Sequence, residues 1–314
     1  MSINSILCRD LGLKYPIFQG GMAYITTGVM AAASSNAGGL GLICSSGLTA
    51  QQVADEITAA KRLTDKPFGV NLMLQSPEIE QILQIVIDTK IPVVTTGAGD
   101  PTPFMPALHE AGIKVIPVIP HVKAAVKAAK AGAYAVVAEG TESGGHVGDM
   151  TTLALVPQVL AAVDIPVLAA GGIADGKSLA AMLLLGAAGV QIGTLFMVAD
   201  ECPIDNAFKQ QILQAADTDT IVTGRGTPHV VRSLKNSMSL KYAELEKQPG
   251  TQAERDKLAD KALLKAVRGD MDGGCLMAGQ ISGLIKHGGS IASIMQQLMN
   301  EAEAALAGAN KLLD

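Results

Sequence analysis

Eight times between residues 16 and 192, a short apolar run without polar alternation is followed by a segment of helical character. The runs are Pro16–Gln19, Leu40–Cys44, Phe68–Leu72, Val93–Thr96, Lys114–Ile119, Ala133–Glu139, Ile165–Ala169 and Gly189–Ile192. They are rich in Val and Ile, as parallel strands covered on both faces should be. The segments between them carry helix signals. Thr49 to Leu63 and Val122 to Ala131 keep helical spacing, the second stopped by Gly132. Ser76-Pro77-Glu78 predicts a helix start with cap, first-turn proline and acid, followed by Ile79, Ile82, Leu83 and Val86. Such a repeat predicts an α/β chain folded as a closed (β/α)8 TIM barrel, with an open doubly wound sheet as the competitor.

The strands are used up by about residue 195, so the barrel is expected over residues 1–199. Residues 200–272 are more polar and less periodic, with a charged stretch from Lys241 to Lys265, and predict a smaller helical subdomain. The glycine-rich residues 273–314 predict a return segment across the barrel mouth and a last helix, Ile291 to Ala307.

A formal net charge of -5 argues against a nucleic-acid partner. No apolar run reaches the roughly 18 residues of a membrane span, and the first residues show no secretory signal. The four cysteines lie far apart and no histidine sits at ligand spacing, so reduced thiols, no metal and a cytoplasmic location are expected.

Gly171 to Ser178 fits the G-x-x-x-x-G-K-[ST] pattern of nucleotide triphosphatases. No apolar strand ending in a magnesium-binding Asp accompanies it. A barrel explains the glycines otherwise, because the loops after its seventh and eighth strands commonly bind phosphate. Gly171-Gly172 and Gly193-Thr194 are those loops here, where bare backbone can approach an anion.

"YPIFQGGMA", "NAGGLGLI", "KPFGVNLML", "VVTTGAGDP", "AEGTESGGHVG", "IPVLAAGGIADG", "GVQIGT" and "MAGQISGLI" occur in that order. Together they resemble enoyl-acyl-carrier-protein reductase II, the FMN-dependent enoyl reductase of bacterial fatty acid synthesis, closely related to nitronate monooxygenase. "KPFGVNLML" and "VVTTGAGDP" favour the reductase branch. The resemblance implies FMN at the C-terminal face of the barrel, its phosphate on Gly171, Gly172, Gly193 and Thr194. Gly21 and Met22 would border the ring. Asn71, Glu139 and Gln191 would bond its polar edge or ribityl chain, and Met277, Ala278 and Gln280 would help cover it.

His146, flanked by glycines in "ESGGHVG", is the expected catalytic group, since imidazole can donate a proton or a hydrogen bond near neutrality. His121 is a weaker candidate, while His109, His229 and His287 are expected on helices or surface loops. The implied reaction is reduction of trans-2-enoyl thioesters by NADH or NADPH through reduced flavin. The alternative is oxidation of alkyl nitronates with oxygen; a non-catalytic flavin-binding protein is the further rival. Acyl carrier protein is the implied partner, with Arg225, Arg232 and Lys235 as a docking patch. A homodimer is expected, and some family members respond to a monovalent cation.

Overall fold

The computed structural model describes residues 3, 5–227, 229–309 and 311. Its strands run β1 (Ile17–Gln19), β2 (Leu40–Cys44), β3 (Gly69–Met73), β4 (Val93–Gly97), β5 (Lys114–Ile119) and β6 (Val136–Glu139). Past the two-residue β7 (Gly145–His146), which stands outside the barrel, come β8 (Val167–Ala170) and β9 (Gly189–Ile192). The eight barrel strands are parallel, and β9 closes on β1 with Ile17 opposite Val190 and Gln19 opposite Ile192. Closure excludes the open sheet.

Alternation along each strand divides its side chains between two cores. Phe18, Leu42, Ile116, Val137 and Leu168 fill one cluster with Leu7 and Leu11, so the helix Ile6–Leu11 plugs the end of the barrel away from the mouth. Their neighbours Ile17, Ile43, Val115, Val136 and Val167 join the apolar faces of the surrounding helices. Both faces are therefore apolar, which is why the strands read as unbroken hydrophobic runs.

The helix Ala50–Leu63 begins as its sequence signals, with Thr49 and Gln52 forming a reciprocal cap. The Ser76-Pro77-Glu78 signal is displaced: its helix starts only at Ile79, and Glu78 makes no side-chain cap bond there. The Glu78 carboxylate instead accepts from the Ala50 N–H at 2.7 Å. It serves the exposed N-terminus of the neighbouring helix, where a negative charge is favourable.

The last helix, Ile291–Ala309, packs against the helices Gly176–Leu184 and Gly28–Asn36. It thus takes the eighth place in the outer ring, and the barrel does not end at residue 199. Residues 200–290 form an excursion between the eighth barrel strand and its helix. They include the expected helices, such as Asn206–Gln214 and Ser237–Leu245, and also an antiparallel pair that the sequence reading missed. This pair is β10 (Thr220–Thr223) and β11 (Val231–Leu234), and β11 also pairs with β7. Four-residue strands separated by a long turn, one carrying Arg232 and Ser233, show too little alternation to be recognised alone.

Candidate active site

The apolar burial of the strands breaks at their C-terminal ends. Asn71 on β3, Glu139 on β6 and Gln191 on β9 are polar and half-buried there. Gly21 follows β1, and a Cβ on it would overlap the Asn71 side chain. Asn71 donates to Thr95 Oγ1 at 2.9 Å and lies 3.6 Å from the Cys44 sulfur through its Oδ1. Cys44 is therefore at the mouth, but burial pushes its thiol up to about 11 and leaves it protonated near neutrality. The Gln191 stem packs beneath Gly20, while its Oε1 is buried without a hydrogen-bond partner. Such an orphaned acceptor is costly unless a donor arrives.

Gly171 and Gly172 follow β8 with φ of +92° and +73°. A Cβ on Gly171 would sit 2.9 Å from the Gly140 carbonyl, so both the conformation and the space require glycine. Gly193 follows β9, and a Cβ on it would meet Met22 Sδ at 3.5 Å. Thr194 is buried, its hydroxyl accepting from the Gly279 N–H at 2.9 Å.

The nucleotide-triphosphatase reading of Gly171–Ser178 fails here. Asp175 caps the following helix by accepting from Ser178 N–H at 2.7 Å, and Glu301 accepts from Gly176 N–H at 2.9 Å. Two carboxylates already answer this helix end, Ser178 is tied into its cap, and Lys177 is exposed.

The return segment closes down on the mouth. Gln280 N–H donates to the Glu142 carbonyl at 2.8 Å. A Cβ on Gly144 would strike the Ala278 backbone at 2.6 Å, and one on Gly145 would lie 3.6 Å from Met277 Sδ. Glu142, which sequence reasoning passed over, braces this loop: its carboxylate accepts from Thr152 N–H at 3.0 Å. Thr152 also reaches the Gly171 carbonyl at 2.9 Å, linking the His146 loop to the paired glycines.

Glu139 is buried enough to push its carboxyl up to about 7, a rise that the neighbouring Ser143 partly offsets. His146 sits on β7 opposite Val231 and is exposed. Burial by the atoms packed around it, and secondarily the charge of His229, lower its pKa. His121 is no catalytic candidate: its Nδ1 caps the helix Val122–Lys130 by accepting from Ala124 N–H at 3.1 Å.

The expected docking patch must also be corrected. Arg225 and Lys235 are exposed, whereas Arg232 is only 8% accessible. Its guanidinium donates to the Thr141 carbonyl at 3.0 Å and Thr220 Oγ1 at 2.9 Å. Arg232 therefore ties the excursion to the loop that carries His146. Replacing it by Met should cost about 2 kcal/mol, the scale of lost charged hydrogen bonds. Urea unfolding checks this, and an unchanged midpoint would remove the brace.

Taken together, positive-φ glycines after β8, an open glycine after β9, bare backbone after β1 and an unpartnered Gln191 acceptor fit FMN, a flat ring with a phosphorylated tail. Among the described residues, no cluster of His, Cys, Asp or Glu could hold a metal ion, and no helix is long and apolar enough to cross a membrane.

The family model for nitronate monooxygenase matches residues 4–83 and 79–301. FabK, enoyl-acyl-carrier-protein reductase II, from Thermotoga maritima superposes with a TM-score of 0.95 over 99% of each chain, at 40% identity. A probable nitronate monooxygenase of Staphylococcus saprophyticus is 32% identical, the match covering 91% of this chain and 94% of that protein. A Rhodococcus jostii protein, (3aS,4S,5R,7aS)-5-hydroxy-7a-methyl-1-oxo-octahydro-1H-indene-4-carboxyl-CoA dehydrogenase, is 37% identical over 77% of this chain and 69% of its own. This chain belongs to the nitronate monooxygenase family and is a flavin-dependent oxidoreductase.

Proposed function

We propose that this protein is an FMN-dependent enoyl-acyl-carrier-protein reductase, reducing trans-2-enoyl thioesters with NADH or NADPH. The observation that carries this reading is the end-to-end likeness to FabK, at 40% identity over 99% of both chains. The relative named for a carboxyl-CoA substrate supports a thioester in the same mouth. Gly171, Gly172, Gly193 and Thr194 hold the phosphate, and Gly21 and Met22 border the ring. Gln191 accepts from its polar edge, Asn71 and Glu139 lie along it, and Met277, Ala278 and Gln280 shield it from water. Bound FMN supplies hydride transfer between nicotinamide and the substrate β-carbon. His146 holds a proton or a hydrogen bond for the substrate's thioester end. Arg225 and Lys235 remain to face an acidic carrier protein. A homodimer and a monovalent-cation response belong to the same proposal.

Nitronate oxidation is the second reading, favoured by the family model and the Staphylococcus relative. Anaerobic NADH or NADPH is expected to bleach the flavin absorption of the purified protein, and an added enoyl thioester should restore it. Flavin bands indifferent to both nicotinamides but bleached by a nitronate would put the second reading first.

A further inference from the structure

His229 was expected only as a surface histidine, yet its ring meets that of His146 edge to face, with centroids 6.0 Å apart and planes at 66°. The two rings come from different elements, His146 from β7 and His229 from the turn between β10 and β11. That turn is built to place the ring. His229 N–H donates to Thr227 Oγ1 at 3.0 Å, and Thr227 Oγ1 donates to the Gly224 carbonyl at 2.7 Å. Gly224 has φ +83°, a Cβ there would overlap the His229 carbonyl, and its N–H donates to the Glu246 carboxylate. Both rings are exposed, so solvent reaches each of them.

We propose that His229 is a positioning residue for His146 at the barrel mouth, meeting its ring edge to face and opposing its protonation, so that His146 gives up its proton more readily. Two imidazolium ions at this spacing repel, so protonating one ring opposes protonating the other. In the reduction proposed above, an N–H bond of His146 breaks as a C–H bond forms at the substrate α-carbon. Bound FMN would supply the hydride for the β-carbon at the expense of NAD(P)H. Solvent then returns a proton to the exposed His146 ring.

Other charged groups around the pair are already engaged or are exposed. The Glu142 carboxylate holds Thr152, the Arg232 guanidinium holds Thr141 and Thr220, and Glu246 holds Gly224. Asp149 and Arg225 are exposed, His121 caps its own helix, and the covering residues Leu276–Leu284 carry no titratable group.

The inference rests on His146 being the acid of the proposed reduction, and its test separates the two. Histidine ring resonances of the full-length protein are titrated by NMR, without substrate, in wild type, His229→Gln and His146→Gln. In His229→Gln, His146 should titrate at higher pH than in wild type, and the His146→Gln spectrum identifies the His146 resonance. The alkaline limb of the kcat/KM profile of His229→Gln should shift to higher pH with the His146 resonance, because His146 acts in its protonated form. Unmoved titrations in variants with wild-type thermal stability would overturn the pair. Coupled titrations in a protein that fails to reduce enoyl thioesters would keep the pair and reject the reaction.

Discussion

Replacing His146 by alanine is expected to lower kcat for enoyl-thioester reduction by about 10²–10⁴-fold, the range for losing a positioned general acid. Bleaching of the flavin by NADH or NADPH should be nearly unaffected, because His146 is assigned to the substrate half of the reaction. The structure makes the experiment clean. His146 is exposed, and the β7–β11 ladder that holds it is backbone pairing, so truncation should leave the melting temperature close to wild type. His146→Gln then tells a donated hydrogen bond from a donated proton. Glutamine can still donate to a thioester carbonyl, but it cannot protonate carbon. Recovery of most of the rate in the glutamine variant would assign His146 to carbonyl polarisation, and a rate as low as alanine's would assign it to proton delivery. Wild-type turnover in the alanine variant would remove His146 from the chemistry altogether.

Some of this site is local enough to read from residue order. β2, β5 and β9 lie where their apolar runs place them, at Leu40–Cys44, Lys114–Ile119 and Gly189–Ile192. The glycine pair at 171 and 172 follows a strand directly, so its place at the mouth comes with the barrel. β6 begins at Val136 and not at Ala133; Tyr134 just before it packs against the inner cluster, its hydroxyl donating to Asp10 at 3.1 Å. What residue order could not show is whatever depends on distant segments meeting. The ring of His229 faces His146 only because β11 returns to pair with β7. Arg232 looks like a docking charge in a linear reading, yet β10 and the His146 loop bury it. Glu142 looks like loop polarity until Thr152 is seen folded onto it. The eighth outer helix is separated from its strand by the whole excursion, so strand-helix alternation stops short of it.

Glu139→Gln is expected to make the FMN-free protein more stable at pH 8, by about 2–3 kcal/mol, and to change it little near pH 4. Burial raises the folded-state carboxyl to about 7, whereas the unfolded chain titrates near the ordinary carboxylate value. The folded state thus binds this proton more tightly than the unfolded state. Its stabilising contribution is fully present below the ordinary carboxylate range, and it falls away as pH rises through about 7. Above that pH, wild type carries a buried charge that glutamine does not. Denaturant unfolding across pH 4 to 8 should therefore give curves that run together in acid and separate toward base. Curves parallel throughout would mean that Glu139 is solvated and its carboxyl ordinary. The same shift bears on the cofactor. Near neutrality a protonated Glu139 can donate a hydrogen bond along the proposed flavin, and above it the carboxylate adds a negative charge beside a phosphorylated ligand. FMN affinity of wild type should weaken above pH 7, while that of the glutamine variant, which keeps a donor and gains no charge, should stay level. A pH-independent affinity in wild type, alongside the expected stability curves, would place Glu139 in the barrel core's electrostatics and away from the flavin.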